Sequence, residues 1–305
     1  MKFAASREVQ PKAITHPTEA KLYLKAVLAR VRQAKSTVSS CDRPTRAWPN
    51  AQPCRWAAMP MPVRRRMRRE LKRLKTYLGR VYRDIAGKVA GDEVFSRRFA
   101  PLLGLTERLL VQERTSKNKL YNLHAPEVVY IAKGEAHRPY EFGSKVALAV
   151  TNREGFVFAS KALEGYSYDG HTLSATADQV ITMTGIEPDC IYVDQGYRGH
   201  YYAKSDRVFI TRQRRGLTPT IKRELRRRSA IEPMIGHMKA NGRLGRNHLL
   251  GVTGDATNAL LVAAGHNLRL ILTWLRFIVV WIIAALMGSS AHSDTSADPW
   301  NPIAA

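Results

Sequence analysis

Cys190-Ile191-Tyr192-Val193-Asp194-Gln195-Gly196-Tyr197-Arg198-Gly199 is a short apolar run closed by a carboxylate and a glycine. A run of that length bounded by a turn signal reads as a buried strand. Asp194 then falls just past the strand's carboxyl end, where open sheets with helical layers place their sites, and Gly196 lets the backbone turn sharply. Working outward, Glu127 to Ile131, Glu141 to Thr151 and Phe156 to Leu163 read as three more strands, with Val146, Leu148 and Val150 alternating in the second. Asn152-Arg153-Glu154-Gly155 joins the last two as a hairpin. Tyr168-Asp169-Gly170-His171-Thr172-Leu173 leads into a helix through Met183, and Arg207 to Thr211 is a further strand. Strands interleaved with helices in this order predict an α/β fold, a mixed sheet with flanking helices.

A second carboxylate, Glu232, lies in Arg226-Arg227-Arg228-Ser229-Ala230-Ile231-Glu232-Pro233-Met234-Ile235-Gly236-His237-Met238-Lys239. At the helical step, Arg228, Glu232 and Lys239 fall within about 40° of one another on one face. Two or three carboxylates converging at the end of the Asp194 strand would hold two divalent ions about 3.5 to 4 Å apart, one activating the attacking oxygen of a phosphodiester and one stabilising the leaving oxygen. Magnesium suits such oxygen ligands, with Mn2+ able to take its place. Arg228 and Lys239 would grip phosphates beside the scissile bond. A plainer reading stays open, because Ser229-Ala230-Ile231-Glu232 is also a capping-box pattern. Pro233 costs about 3 kcal/mol in a helix interior, so either reading needs a helix that starts near Ser229 or Glu232.

Forty-nine Lys and Arg against twenty-five Asp and Glu give the 305-residue chain a net charge of +24, which makes nucleic acid the first candidate partner. The charge is concentrated. Met67, Leu71, Leu74, Leu78, Val81 and Ile85 form the apolar seam of a long helix, and ten cations from Arg64 to Arg83 coat its other faces against only Glu70 and Asp84. Such a helix either lies solvated on the body or runs along a DNA backbone. Arg198 and the run Arg212-Gln213-Arg214-Arg215-Gly216 add Arg198, Arg212, Arg214 and Arg215 as candidate phosphate contacts. Three cysteines, Cys41, Cys54 and Cys190, show no zinc or disulfide spacing, which fits a reducing cytoplasm.

Pro17-Thr18-Glu19 opens a helix with Leu24, Val27, Leu28, Val31 and Ala34 in helical register, whereas residues 36–62 carry five prolines and no period, a linker. From Leu270 to Met287 only Thr273 and Arg276 interrupt an apolar run. A mid-membrane Arg costs roughly 2.5 to 3.5 kcal/mol, so this segment is expected to be a packing helix, and membrane association is not expected. His171 and His200, near the Asp blocks, could touch metal or a base, or simply be satisfied by backbone. Tyr197, Tyr201 and Tyr202 could stack on a base, although core packing is the commoner role.

Arg228, Glu232 and Lys239 together resemble the Tyr-x-x-Arg-x-x-x-Glu-x-x-x-x-x-x-Lys signature of bacterial insertion-sequence DDE transposases of the insertion-sequence-four and five groups, with Leu225 standing at the Tyr. Val193 to His200 resembles their second-aspartate block. Leu123 to Val128, Lys133 to Gly143, Tyr168 to Leu173 and Gly242 to Asn247 extend the likeness over roughly residues 70 to 276. The resemblance implies a ribonuclease H-like catalytic core, metal-dependent cleavage of transposon ends, and strand transfer into target DNA. It implies double-stranded DNA as partner, a homo-oligomer on that DNA, and a nucleoid-associated place in the cytoplasm. It makes Asp194 the second acidic ligand of a Mg2+ pair and Glu232 the third, with Arg228 and Lys239 on phosphates.

The first ligand departs from the pattern. Ser6-Arg7-Glu8-Val9-Gln10-Pro11-Lys12-Ala13-Ile14-Thr15-His16-Pro17-Thr18 resembles the family block that opens Asp-Thr-Thr, and Ser6 falls on the aspartate. A serine hydroxyl carries no charge with which to neutralise a metal pair. Only five residues precede it, so the expectation is an N-terminally truncated copy: a strand remnant in 1–14, a basic helical insertion in 15–110, the catalytic core in 111–276, and an apolar helix with a disordered tail in 277–305. The expected function is transposase chemistry impaired by the lost ligand. Glu8 and Asp169 are candidate stand-ins for that missing carboxylate. The alternative is a catalytically inactive DNA-binding regulator or inhibitor of transposition.

Overall fold

The computed structural model describes residues 1–37, 61–113, 115–132, 139–163, 165, 168–213 and 215–286. Residues 38–60 of the expected linker, Cys41 and Cys54, the block 133–138, Arg214 and the tail after Gly288 lie outside the described residues. The chain divides into two compact units, one formed by Met1–Ala13 with Tyr130–Ala305 and the other by Ile14–Val129.

In the first unit, β1 (Lys2–Pro11) sits near the middle of a six-stranded mixed sheet. It pairs antiparallel with β3 (Tyr140–Thr151) and parallel with β5 (Cys190–Val193). β2 (Val129–Ala132) and β4 (Val157–Leu163) both pair with β3, and β6 (Val208–Ile210) closes the other edge beside β5. The 155-turn is the expected hairpin: Thr151 N–H donates to Phe156 O at 2.8 Å, and Gly155 takes φ 79°, where a side chain is disfavoured. Gly143 has a different reason to be glycine, because a Cβ there would lie 2.0 Å from the Gln10 carbonyl oxygen across the β1–β3 pairing.

Strand alternation sends β1 residues to opposite faces. Phe3 and Ala5 join Leu173, Ala177 and Val180 of α4 (Asp169–Thr184), and Ala4 joins Ile231, Met234, Ile235 and Met238 of α6 (Ile231–Asn241). A short α5 (Pro219–Arg227) precedes a 3-10 turn, Arg228–Ala230, so the helix expected to carry Arg228, Glu232 and Lys239 on one face is broken at its start. The consequence is visible in burial, with Arg228 buried and Glu232 exposed.

α7 (Gly251–Leu286) is 36 residues long, about 54 Å at the helical rise. Asp255, Ala259, Val262, Ala263, His266 and Leu270 are buried; beyond Leu270 most apolar side chains are exposed, among them Leu272, Phe277, Trp281 and Leu286, while Trp274 is half-buried. The expectation of a packing helix over Leu270 to Met287 is corrected accordingly: packing thins after Leu270, Trp274 still meets Phe156 edge-on with ring centroids 5.0 Å apart, and from Leu275 to Ile283 and at Leu286 the apolar side chains are exposed. This helix is long and apolar enough to cross a membrane by length and composition.

The second unit packs α1 (Glu19–Thr37), α2 (Met61–Val89) and α3 (Glu93–Val111) around Leu22, Val27, Leu78 and Leu109. The ends of the expected linker are helical, since Ser36 and Thr37 belong to α1 and Met61 and Pro62 to α2. The seam of α2 packs as expected, with Leu78 and Ile85 buried, while Arg65, Arg66, Arg68, Arg69, Lys72, Arg73, Arg80 and Arg83 are exposed. α3 has no counterpart in the periodicity reading. Its local signal is Asp92, whose carboxylate accepts from the Val94 and Phe95 amides as an N-cap.

Candidate active site

Asp194 follows β5 directly and turns the chain by accepting the Gly196 amide at 2.9 Å. Its other oxygen, Oδ2, lies 3.3 Å from Arg228 Nη2, so the buried guanidinium of the 3-10 turn reaches the strand end. Asp169, first residue of α4, approaches from the opposite side: a Cβ on Gly196 would sit 2.8 Å from Asp169 Oδ2 and 3.1 Å from Asp194 Oδ1. The two carboxylates are thus neighbours beside Gly196, where a Cβ could enter only by moving them. Asp169 is held by Arg7 of β1.

Parallel pairing sets Ala4 opposite Tyr192, so two residues further along β1 Ser6 stands level with Asp194. Ser6 is 7% exposed and shares the α6 face with Ala4. Glu8, next on the same face, accepts from Lys239 Nζ at 2.8 Å. Glu232 and Lys239 lie about 20° apart on the flank of α6, two turns from each other. Neither oxygen of Glu232 has a hydrogen-bond partner among the described residues, and α6 begins on Ala230 without a side-chain cap, so the capping box is not formed. Pro233 is harmless because it falls in the first turn, where the backbone N–H has no intrahelical acceptor.

Among the described residues no group of three or more Asp, Glu, His and Cys side chains is gathered to hold a metal ion. The donors as arranged therefore do not fit a two-ion site. Asp194 is shared between Gly196 and Arg228, Asp169 is paired with Arg7, Glu8 is paired with Lys239, and the position level with Asp194 is a hydroxyl.

The remaining candidates separate cleanly. Arg198, Arg212 and Arg215 are exposed near the β5 and β6 strand ends, and Arg212 takes φ 62° in the turn after β6. His200 Nδ1 accepts the Tyr202 amide at 3.3 Å, and burial holds its imidazole below the usual histidine range. His171 stacks between Tyr168 and Tyr201, with ring centroids 5.4 and 4.9 Å away. Tyr197 and Tyr202 are core residues, whereas Tyr201 is 77% exposed. Sequence reasoning missed the Arg7–Asp169 and Glu8–Lys239 pairs. Their only advance signal was two charged residues placed inside a strand that becomes central.

Lys145 of β3 shares the α4 face with Arg7. Burial first, and the Arg7 charge second, push its ammonium down to about 8. The folded chain then sheds this proton before the unfolded chain does, so its contribution to stability rises as pH goes from about 8 to 10.5. Urea unfolding across that window should show Lys145→Met removing this rise; parallel pH profiles for the two chains would refute it.

Residues 187–272 match the family model of a transposase DDE domain. The matched region runs from the approach to β5 into α7 and contains Asp194, Arg228, Glu232 and Lys239, but not β1. No curated protein and no solved structure matches the chain. The match supports a DDE-type transposase, and the mixed sheet with its helices is compatible with the ribonuclease H-like fold of such domains.

Proposed function

We propose that the chain is a DDE-type transposase copy of the insertion-sequence-four or five groups that binds double-stranded DNA but is impaired in metal-dependent cleavage and strand transfer. The observation that supports this reading is the register of β1 on β5, Ala4 opposite Tyr192, which continued by two residues brings Ser6 level with Asp194. The family resemblance implies a Mg2+ or Mn2+ pair whose remaining acidic ligands would be Asp194 and Glu232, and in this reading these two alone, with Asp194 held by Arg228, do not make that site. Arg228, Lys239, Arg198, Arg212, Arg214 and Arg215 contact phosphates, and copies assemble on DNA in the nucleoid. Incubation with Mg2+ and the element's own ends should give little 3′ hydroxyl product. Robust strand transfer with Ser6 in place would sink the impairment.

A regulatory reading is favoured by a separate observation, the pairing of Glu8 with Lys239 and of Asp169 with Arg7, which ties up charges at the strand ends. On that reading the chain occupies DNA without chemistry. Affinity should fall linearly in log–log form with salt and stay unchanged in Glu232→Gln, as read by fluorescence anisotropy on duplex DNA. Replacing Arg65, Arg68, Arg69 and Lys72 on α2 by Gln should flatten the salt slope by up to about four phosphate contacts; an unchanged slope removes α2 from the DNA interface.

A further inference from the structure

α7 carries a second apolar face, on the side away from the sheet. Leu268, Leu272, Leu275, Val279, Ile282 and Leu286 follow one another at alternating steps of four and three residues, and all six are exposed, by 44% to 81%. Leu261 extends the row one heptad back, with Gly265 as its gap, where a Cβ would meet nothing within 4 Å. At the helical step this row lies about 170° from the buried stripe of Ala259, Val262, Ala263, His266 and Leu270. The sheet packs on that stripe and leaves the row to solvent.

The spacing identifies the occupant. Steps of four and three sustained from Leu261 to Leu286 are the period of a coiled-coil seam, whose side chains enter holes on a partner helix. A bilayer selects for apolarity alone and gives no reason for such a period. It would also have to take in Arg276, which is exposed inside the apolar run. Beside a partner helix Arg276 is well placed, because it stands off the seam. Arg269 and Arg276 are one heptad apart on one flank of the row, and Ile271 and Ile278 hold the other flank. In a parallel pair each arginine flank meets the partner's isoleucine flank, so the aliphatic stems cover apolar surface while the guanidiniums stay in water. An antiparallel pair sets arginine flank against arginine flank. The row is thus complementary to a second copy of itself, as an isologous two-fold interface requires.

We propose that α7 forms a parallel two-stranded coiled coil with α7 of a second copy of this chain over Leu268 to Leu286. This deepens the expected homo-oligomer by giving its interface, and rests on the proposed function only for what the pair does on DNA. The two sheets lie on the outer sides of the coil, because each packs on the stripe opposite the seam.

The test is sedimentation velocity on the full chain without metal or DNA. The parent is expected to be a dimer, and Leu272→Glu with Val279→Glu to raise its dissociation constant by about a hundredfold or more, since two unpaired charges per helix enter the seam. Phe277→Glu with Trp281→Glu, equally exposed but on the outer side, should leave it unchanged. Circular dichroism should show both variants as folded as the parent, because all four side chains are exposed in the single chain. Leu286→Cys should cross-link to its own counterpart under mild oxidation, beyond any cross-linking of the parent, as a parallel register requires. A monomeric parent, a dimer that the seam variant leaves intact, or equal weakening by both variants overturns the inference, and a Leu286→Cys chain that does not cross-link overturns the parallel orientation. Flotation with anionic phospholipid vesicles that both variants abolish equally assigns the face to lipid instead. A dimer without DNA affinity sinks the proposed function and leaves the coil standing; a DNA-binding monomer does the reverse.

Discussion

Ser6→Asp is expected to raise Mg2+-dependent cleavage of the element's ends by on the order of a hundredfold or more over the unaltered chain. The expectation comes from register. Ala4 faces Tyr192, so a carboxylate at position 6 stands level with Asp194 on a neighbouring strand, on the face that α6 covers. Position 6 is 7% exposed, and a second carboxylate so near Asp194 raises the cost of ionising either one until a cation arrives. The variant should therefore be less stable than the parent without metal and gain thermal stability when Mn2+ or Mg2+ is added, a shift the parent lacks. That melting shift is read without any DNA. A variant that neither cleaves nor responds to either ion would show that Ser6 is not where the chemistry is lost, and attention would pass to the Arg228 contact and the Glu8–Lys239 pair.

The sheet and its strand ends were legible because burial writes itself into sequence as alternation and short apolar runs. β3, β4, β5 and α4 lie within a residue or two of where Glu141 to Thr151, Phe156 to Leu163, Cys190 to Asp194 and the Tyr168 block placed them. The seam of α2 was legible for the same reason. What period cannot carry is pairing between distant segments. Arg7 with Asp169 and Glu8 with Lys239 join residues far apart in sequence; Glu8 and Asp169 read as candidate stand-in carboxylates and Lys239 as a phosphate contact, and only the place of β1 between β3 and β5 shows them paired. The face assigned to Arg228, Glu232 and Lys239 failed in part because a single 3-10 turn changes the angular step, and no residue type in Arg228-Ser229-Ala230 announces that turn. The exposure of α7 beyond Leu270 was hidden differently. Composition reports that a helix is apolar, but whether anything lies against it depends on tertiary placement that the segment itself does not encode.

Asp255→Ala is expected to destabilise the fold by about 3 to 5 kcal/mol, the range for removing one member of a buried ion pair. Asp255 opens the buried side of α7 and is 4% exposed. Its Oδ1 accepts from Lys12 Nζ at 2.6 Å and from Asn247 Nδ2 at 2.5 Å, and its carbonyl accepts from Gln10 at 3.3 Å. Gln10 in turn accepts from Asn258, and backbone bonds at 2.7 Å link Ala13 to Asn247 and Asn247 to Pro11. Without the carboxylate, an ammonium and an amide lose their shared acceptor in a place water does not reach. Asp255→Asn should cost less, because one acceptor oxygen survives. Combining Asp255→Leu with Lys12→Met should recover much of the loss, since an apolar pair of similar volume escapes the desolvation cost. Urea midpoints for the four chains decide this, and an Asp255→Ala chain as stable as the parent would remove the cluster from the account. The same cluster clamps the far end of the strand that carries Ser6 and Glu8. In the Ser6→Asp background, Asp255→Asn should therefore weaken Mn2+ binding, read by titration calorimetry at a temperature where both chains stay folded, because a loosened β1 no longer holds position 6 level with Asp194.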